Sequence, residues 1–355
     1  MNARTLKRLA PVLRLAICAG LLYIIIRRLD LSQLRAVLAG TVNRWPWVAA
    51  GTLATFVGLV AGAVRWGEIL AAQGLRLSFS RVFQVFFVGQ FFNAFMLGAC
   101  GGDMARAYYA SKDAPGRRAE AVSTVFVDRA VGLFATILFC CVVIVLRIPF
   151  FLNNQGTRWP GILMFLFLIA SVVGIFALFR RNLFEHWTFF RQLERDTRLG
   201  PLIRRTYDAF YLYRSHHRVM AIALVYSYLN LGFLTAACYC LGRSLQIHTS
   251  LLEYFTLFPI ISVIAAIPIT PGSLGVREGL FVSMFAAILV DAHQALALSL
   301  MVYAVSLVWS LFGGVFFIGR PLSAEIEELK QAPDRLRDVE GAPASTGLSD
   351  KQQEE

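Results

Sequence analysis

Six stretches of this chain are apolar for close to the length that crosses a bilayer: residues 10–26, 46–64, 121–146, 161–179, 219–241 and 292–318. A hydrocarbon core about 30 Å thick takes roughly 20 residues of helix to span. No water reaches the backbone there, so every N–H and C=O must be satisfied within the segment, which a helix does. Composition agrees. Of 355 residues, 57% are hydrophobic and 16% charged, whereas a soluble domain carries roughly 45–50% apolar and about 25% charged residues. The expected fold is all-α, a polytopic membrane helical bundle.

Two further apolar regions, 82–110 and 251–290, are interrupted by glycine-rich breaks, and each break ends in charge. The first reads Gly98-Ala99-Cys100-Gly101-Gly102-Asp103, with Arg106 one helical turn on. The second reads Pro268-Ile269-Thr270-Pro271-Gly272-Ser273-Leu274-Gly275-Val276, followed by Arg277 and Glu278. Ionisable groups at membrane depth are costly and mark polar pathways or substrates. Irregular backbone at that depth persists only where protein buries it or a cavity wets it.

Basic residues orient the spans. Segment 180–218 holds nine arginines against four acids, the strongest cytoplasmic signal in the chain. Alternating from there places the N-terminus, with Arg4, Lys7 and Arg8, on the cytoplasmic side, together with Arg65, Arg117 and Arg118 and the C-terminus. Region 82–110 then enters and leaves by one face, as a re-entrant hairpin turning at Gly98–Gly102. Region 251–290 either re-enters or crosses an even number of times. The count is six spans plus two hairpins, or eight spans. The two breaks share a pattern of apolar helix, small-residue turn, acid, arginine and apolar helix, which leaves an inverted internal repeat open.

The charged groups suggest specific chemistry. Asp103 and Arg106 share a face if 103–110 is helical. A helix starting after Gly102 would aim amides at the turn, with Asp103 as its cap, and could hold an anionic headgroup. Asp128 and Arg129 point about 100° apart on a helix, so each needs another partner, such as Arg106, Asp103 or a ligand. Snorkelling with a structural ion pair is the competing reading. Pro271 and Gly272 end a helix before Arg277, whose planar fork suits phosphate oxygens. Asn93 must hydrogen-bond within its hairpin. Arg65-Trp66, with Glu68, reads as an interfacial anchor.

Other classes find little support. The cysteines (18, 100, 140, 141, 238 and 240) lie in apolar runs without metal or disulfide spacing, and the five histidines are scattered. No catalytic residue, metal site or cofactor is expected, and Asp30 is a weak lone candidate for a glycosyltransferase acid. Residues 321–355 carry nine acids and four bases, so the remaining 320 are more positive than the +12 of the whole chain. That suits anionic lipid and ordinary positive-inside topology. Nucleic acid is not an expected partner, because the aromatics sit in the apolar runs. The N-terminal run ends in Ile26-Arg27-Arg28 with no cleavage pattern and reads as a retained span. Two domains result, a membrane domain over 1–320 and an acidic, largely disordered tail over 321–355.

Three motifs, taken in order, resemble a known family. They are Asn93-x-Phe95-x-Leu97-Gly98-x-x-Gly101-Gly102-Asp103-x-x-Arg106, Asp128-Arg129-x-x-Gly132, and Pro271-Gly272-x-x-Gly275-x-Arg277-Glu278-Gly279. Together they resemble the lysylphosphatidylglycerol synthase transmembrane region, a flippase-like integral membrane family, over roughly 10–318. The family pattern commonly has Pro-Gly where this chain has Leu97-Gly98. It often has Glu-Arg at Asp128-Arg129, so the charge here sits on a shorter side chain. The resemblance implies movement of a lipid or lipid-linked headgroup between leaflets of the cell inner membrane, rather than an enzyme. Arg106, Arg129 and Arg277 would hold phosphate. Asp103, Asp128 and Glu278 would balance charge or relay protons, and Gly101, Gly102, Gly272 and Gly275 would let backbone approach the headgroup. The expected partner is an anionic phospholipid or polyprenyl-phosphate-type lipid. The alternative is an accessory subunit presenting lipid to a separate membrane-associated glycosyl- or aminoacyl-transferase. The 35 residues after 320 are too few for an aminoacyl-transfer domain, so lysyl transfer is not expected.

Overall fold

A computed structural model describes residues 39, 41–95, 101–179, 213, 216–267 and 275–318, the side chains of 95 and 175–179 excepted. The first expected span, the turn at Gly98, the arginine-rich loop, Pro271, Gly272 and the acidic tail lie outside these residues. Described residues up to Phe316 belong to one compact unit spanning 20–316. Among them are ten α-helices and no strand: α1 (Trp45–Ala72), α2 (Phe79–Phe95), α3 (Gly101–Asp113), α4 (Arg118–Leu146), α5 (Ile148–Asn153), α6 (Gln155–Phe179), α7 (His217–Ser244), α8 (Leu251–Ala265), α9 (Val276–Phe285) and α10 (Ala292–Ile318). Five of the six expected spans appear as helices long and apolar enough to cross a membrane, namely α1, α4, α6, α7 and α10.

The seam between α1 and α7 follows from small residues at helical spacing. Gly51, Thr55, Gly58 and Gly62 fall on one buried face of α1. A methyl group at Gly51 would lie 3.0 Å from Leu241, and one at Gly58 3.3 Å from Leu234. With lipid as solvent there is no hydrophobic drive between helices, so close backbone approach and interhelical hydrogen bonds hold them. Asn230 Nδ2 donates to Gly58 O at 2.6 Å across this seam, a bond worth ~0.6–2 kcal/mol in such a setting. The pairing runs antiparallel, 51 against 241, 58 against 234, 65 against 227.

Both glycine-rich regions are hairpins. In the first, Arg81 makes a bidentate pair with Asp113 (2.6 and 2.5 Å), and Asn93 Oδ1 accepts from the Gly102 amide at 2.9 Å. Gly89 lies against both Gly102 and Arg106. These contacts zip α2 antiparallel to α3. In the second, Phe258 meets Phe281 and Tyr254 meets Phe285, with ring centroids 6.4 and 5.5 Å apart, which zips α8 to α9. At 1.5 Å per residue, the 15 and 10 residues of α8 and α9 reach about 22 and 15 Å, short of a bilayer core. Neither arm has the length of the five span candidates, as expected of a re-entrant hairpin.

The hairpins open at opposite ends of the bundle. The first follows the C-terminus of α1 and precedes the N-terminus of α4, and Arg117 Nη2 ties these ends by donating to Gln73 O at 2.5 Å. The second follows the C-terminus of α7, where Arg147 beside the end of α4 grips Glu253 through two bonds of 2.8 and 2.9 Å. Because α1 and α7 are antiparallel, their C-termini lie at opposite ends. Each hairpin also packs on a long helix from the other half. Phe87 and Phe83 meet Phe312 and Phe316 of α10, and Phe255 meets Phe139 of α4.

Candidate functional site

Asp128 sits ten residues into α4, about 15 Å from its start, and its side chain is 2% exposed. A lone carboxylate there would be very costly, but two arginines share it. Arg65 Nε donates to Oδ1 at 2.7 Å and Arg106 Nη2 to Oδ2 at 2.8 Å. Arg65 also donates to Ser227 Oγ at 3.0 Å. The guanidinium of Arg106 lies 4.4 Å from the Trp66 ring centroid and 5.0 Å from that of Phe86, so aromatic faces take the place of water. Next in sequence, Arg129 points the other way and grips Asp103 Oδ2 through Nε and Nη2 at 2.9 and 2.7 Å. Arg106 Nη1 approaches Asp103 Oδ1 at 3.8 Å. The adjacent acid and base thus find separate partners, as their 100° separation requires.

Glycines make room for this cluster. A methyl at Gly132, four residues beyond Asp128 on the same face, would lie 2.8 Å from Arg65 Nη1. One at Gly89 would lie 2.6 Å from Arg106 Cγ. One at Gly102 would strike the Gly89 carbonyl and Asn93, so the hairpin arms close only around glycine.

Among the described residues, three arginines (65, 106, 129) face two aspartates (103, 128), leaving that group net positive. Burial is uneven. The side chains of Arg106 and Arg65 are 8% and 11% exposed, whereas Arg129 is 41% exposed. Asp103 Oδ1 and Arg106 Nε are buried and lack a hydrogen-bond partner. The Arg129–Asp103 edge is the cluster's accessible side.

The second hairpin carries a smaller group. Gly275 has φ +86°, a left-handed turn that glycine adopts without the penalty of a Cβ, and its amide donates to Glu278 Oε2 at 2.5 Å. Arg277 Nη2 reaches Glu278 Oε1 at 2.5 Å and Nε reaches Ser299 Oγ at 3.1 Å. Its guanidinium lies 4.6 Å from the Tyr303 ring centroid. This group is charge-balanced.

The two groups sit at different levels. Ser299 and Tyr303 of α10 flank Arg277, whereas Gly313 and Gly314 of α10 lie against Phe87 and Phe91, on either side of Gly89. Ten residues of helix separate Tyr303 from Gly313, about 15 Å. The structure therefore gathers Asn93, Gly101, Gly102, Asp103, Arg106, Asp128 and Arg129 at the first hairpin, and Gly275, Arg277 and Glu278 at the second.

Two sequence expectations are corrected. Arg65 is not an interfacial anchor, because its partner Asp128 lies 63 residues away, and Trp66 is fully buried. Asp103 is not the helix cap, because α3 already begins at Gly101 and Asp103 Oδ2 instead accepts two charge-assisted hydrogen bonds from Arg129. Sequence reasoning also missed Ser227, Ser299 and Tyr303, whose only signal is a polar group within an apolar run.

A chain with five described helices long and apolar enough to cross a membrane, and two antiparallel hairpins bearing ionised groups, is a multi-pass helical membrane protein. Over residues 12–314 it matches the family described as the lysylphosphatidylglycerol synthase TM region, and it belongs to that family. It is also similar to a UPF0104 membrane protein of Pyrococcus horikoshii, 21% identical over 281 residues, covering 74% of this chain and 83% of that relative.

Proposed function

We propose that this protein binds an anionic lipid, or a lipid-linked headgroup of the polyprenyl-phosphate type, and carries it between leaflets of the cell inner membrane. The observation that carries this reading is the net positive cluster of Arg65, Arg106 and Arg129 with Asp103 and Asp128, held at membrane depth with Arg129 at its open edge. Excess positive charge in low dielectric is stabilised by a ligand of opposite sign, and a planar guanidinium pairs with phosphate through two bonds. Arg277 and Glu278 provide a second, charge-balanced contact point. The family is one of lipid-related membrane proteins, in keeping with a lipid ligand. No catalytic step is assigned, and the termini are taken as cytoplasmic on the positive-inside argument.

The test is inversion of fluorescent phosphatidylglycerol in liposomes, read by quenching from outside. Wild-type protein should accelerate inversion at least about tenfold over empty vesicles, and Arg129→Ala should lose most of that gain. Equal rates for wild type, variant and empty vesicles would discard the reading. A second reading draws on the family's description as the membrane region of a synthase. There the protein presents lipid to a separate membrane-associated transferase without moving it. Co-purification with such an enzyme and no inversion would favour it.

A further inference from the structure

Helix boundaries recur 172 residues apart. Trp45 and His217 begin α1 and α7, and Ala72 and Ser244 end them. Phe79 and Leu251 begin the two hairpins, and Asp113 and Phe285 end them. Leu146 and Ile318 end α4 and α10. The same offset holds bond by bond. Gln73, Gly74 and Leu75 donate to Leu70, Ala71 and Leu70, and Leu245, Gln246 and Ile247 donate to Gly242, Arg243 and Gly242. Gly74 and Gln246 both have positive φ, +72° and +65°. The Arg81 amide donates to Ser78 O, and that of Glu253 to Ser250 O.

Tertiary contacts obey the offset too. On the seam, Gly58 lies against Leu234, and the shifted pair, Asn230 and Gly62, is also in contact. A position that faces its own equivalent's neighbourhood marks a two-fold axis, here near Val60 and Gly232. Arg106 and Asp128 meet at the first hairpin, and one residue away from their equivalents Arg277 meets Ser299. The charges did not follow the backbone: Arg65, Asp103, Asp128 and Arg129 correspond to Ala237, Gly275, Leu300 and Met301.

We infer that residues 45–146 and 217–318 are inverted-topology repeats in unbroken register, and that each hairpin rocks as a rigid body on the fixed α1–α7 seam, one end opening while the other stays shut. This rests on the translocation reading above. Each hairpin is internally zipped, and on the seam a methyl at Gly51 or Gly58 would press on Leu241 or Leu234 at 3.0 and 3.3 Å. The faces that must part are those between hairpin and long helix: α2 on α10, closed here by Gly313 on the Phe87 carbonyl, and α8 on α4, closed here by Arg147 on Glu253.

The test uses cysteine pairs in a cysteine-free background, joined by a short reducible crosslinker. Phe83 with Phe316, or Phe87 with Phe312 should the first pair misfold, locks α2 to α10. Phe139 with Phe255 locks α8 to α4, and Trp47 with Tyr239, whose rings are 6.3 Å apart, locks the seam. Either hairpin lock should slow lipid inversion more than about tenfold, reversibly on reduction, and the seam lock less than about twofold. Spin labels on the unlocked hairpin should report two distances in the free protein and a shifted balance when the other hairpin is locked. A seam lock as damaging as a hairpin lock, harmless hairpin locks, or one unchanging distance in every state would overturn the device. Absent inversion in the free protein together with two exchanging distances would instead count against the translocation reading and leave the rocking standing.

Discussion

Replacing Asp128 by asparagine tests the ion cluster most directly. The change keeps volume and one oxygen but removes the charge that two nearly buried guanidiniums share. Breaking a buried pair while its partner stays charged costs ~3–5 kcal/mol. The single figure applies rather than twice that, because Arg106 keeps Asp103 at 3.8 Å and Arg65 keeps Ser227. At 1.4 kcal/mol per decade, the folding equilibrium constant falls by on the order of two to three and a half decades. Thermal unfolding in detergent, followed with a thiol-reactive dye, suits this chain because Cys140, Cys141 and Cys238 are buried until it opens. The second half shows that the same backbone packs without these ions, with Leu300 and Ala237 at the positions equivalent to Asp128 and Arg65. The triple variant Asp128→Leu, Arg65→Ala, Arg106→Met should therefore recover most of the lost stability while failing to invert lipid. An Asp128→Asn protein that unfolds at the wild-type temperature, or a triple variant no more stable than the single, would refute the reasoning.

Three further outcomes follow from the geometry. Arg129→Ala should cost less stability than Asp128→Asn, since Arg129 is 41% exposed where Asp128 is 2% exposed, yet reduce lipid inversion; a loss of stability as large as that of Asp128→Asn would recast Arg129 as structural. Gly102→Ala should wedge the first hairpin apart, because the added methyl strikes the Gly89 carbonyl, and the check is loss of folded protein by size-exclusion chromatography. Gly275→Ala meets open space but a forbidden φ, so it should cost about 1–2 kcal/mol without a clash, measurable as a modest drop in the same dye assay.

Some of the site was legible because its logic is local. Adjacent Asp128 and Arg129 cannot pair on a helix, so separate partners could be required, and Arg106 and Asp103 could be named. Asn93 bonding its own hairpin was equally readable from depth and polarity. Arg65 was not, because at the end of an apolar run an arginine reads as an anchor, and only a contact spanning 63 residues reveals otherwise. The repeat was visible only as a vague pattern, since its two copies keep backbone turns while exchanging arginine for alanine and aspartate for leucine.

By itself the sequence determined that the chain is a helical membrane protein with two broken hairpins, because hydrocarbon admits few backbone solutions and apolar length reads out directly. Tertiary structure alone decided that the charges split into a net positive group and a balanced one about 15 Å apart along α10, and that Arg65 belongs to the first. Those outcomes depend on which helix faces lie opposite each other, and in a medium where every apolar face is equally content, that is set by small residues such as Gly51, Gly58 and Gly102 rather than by hydropathy.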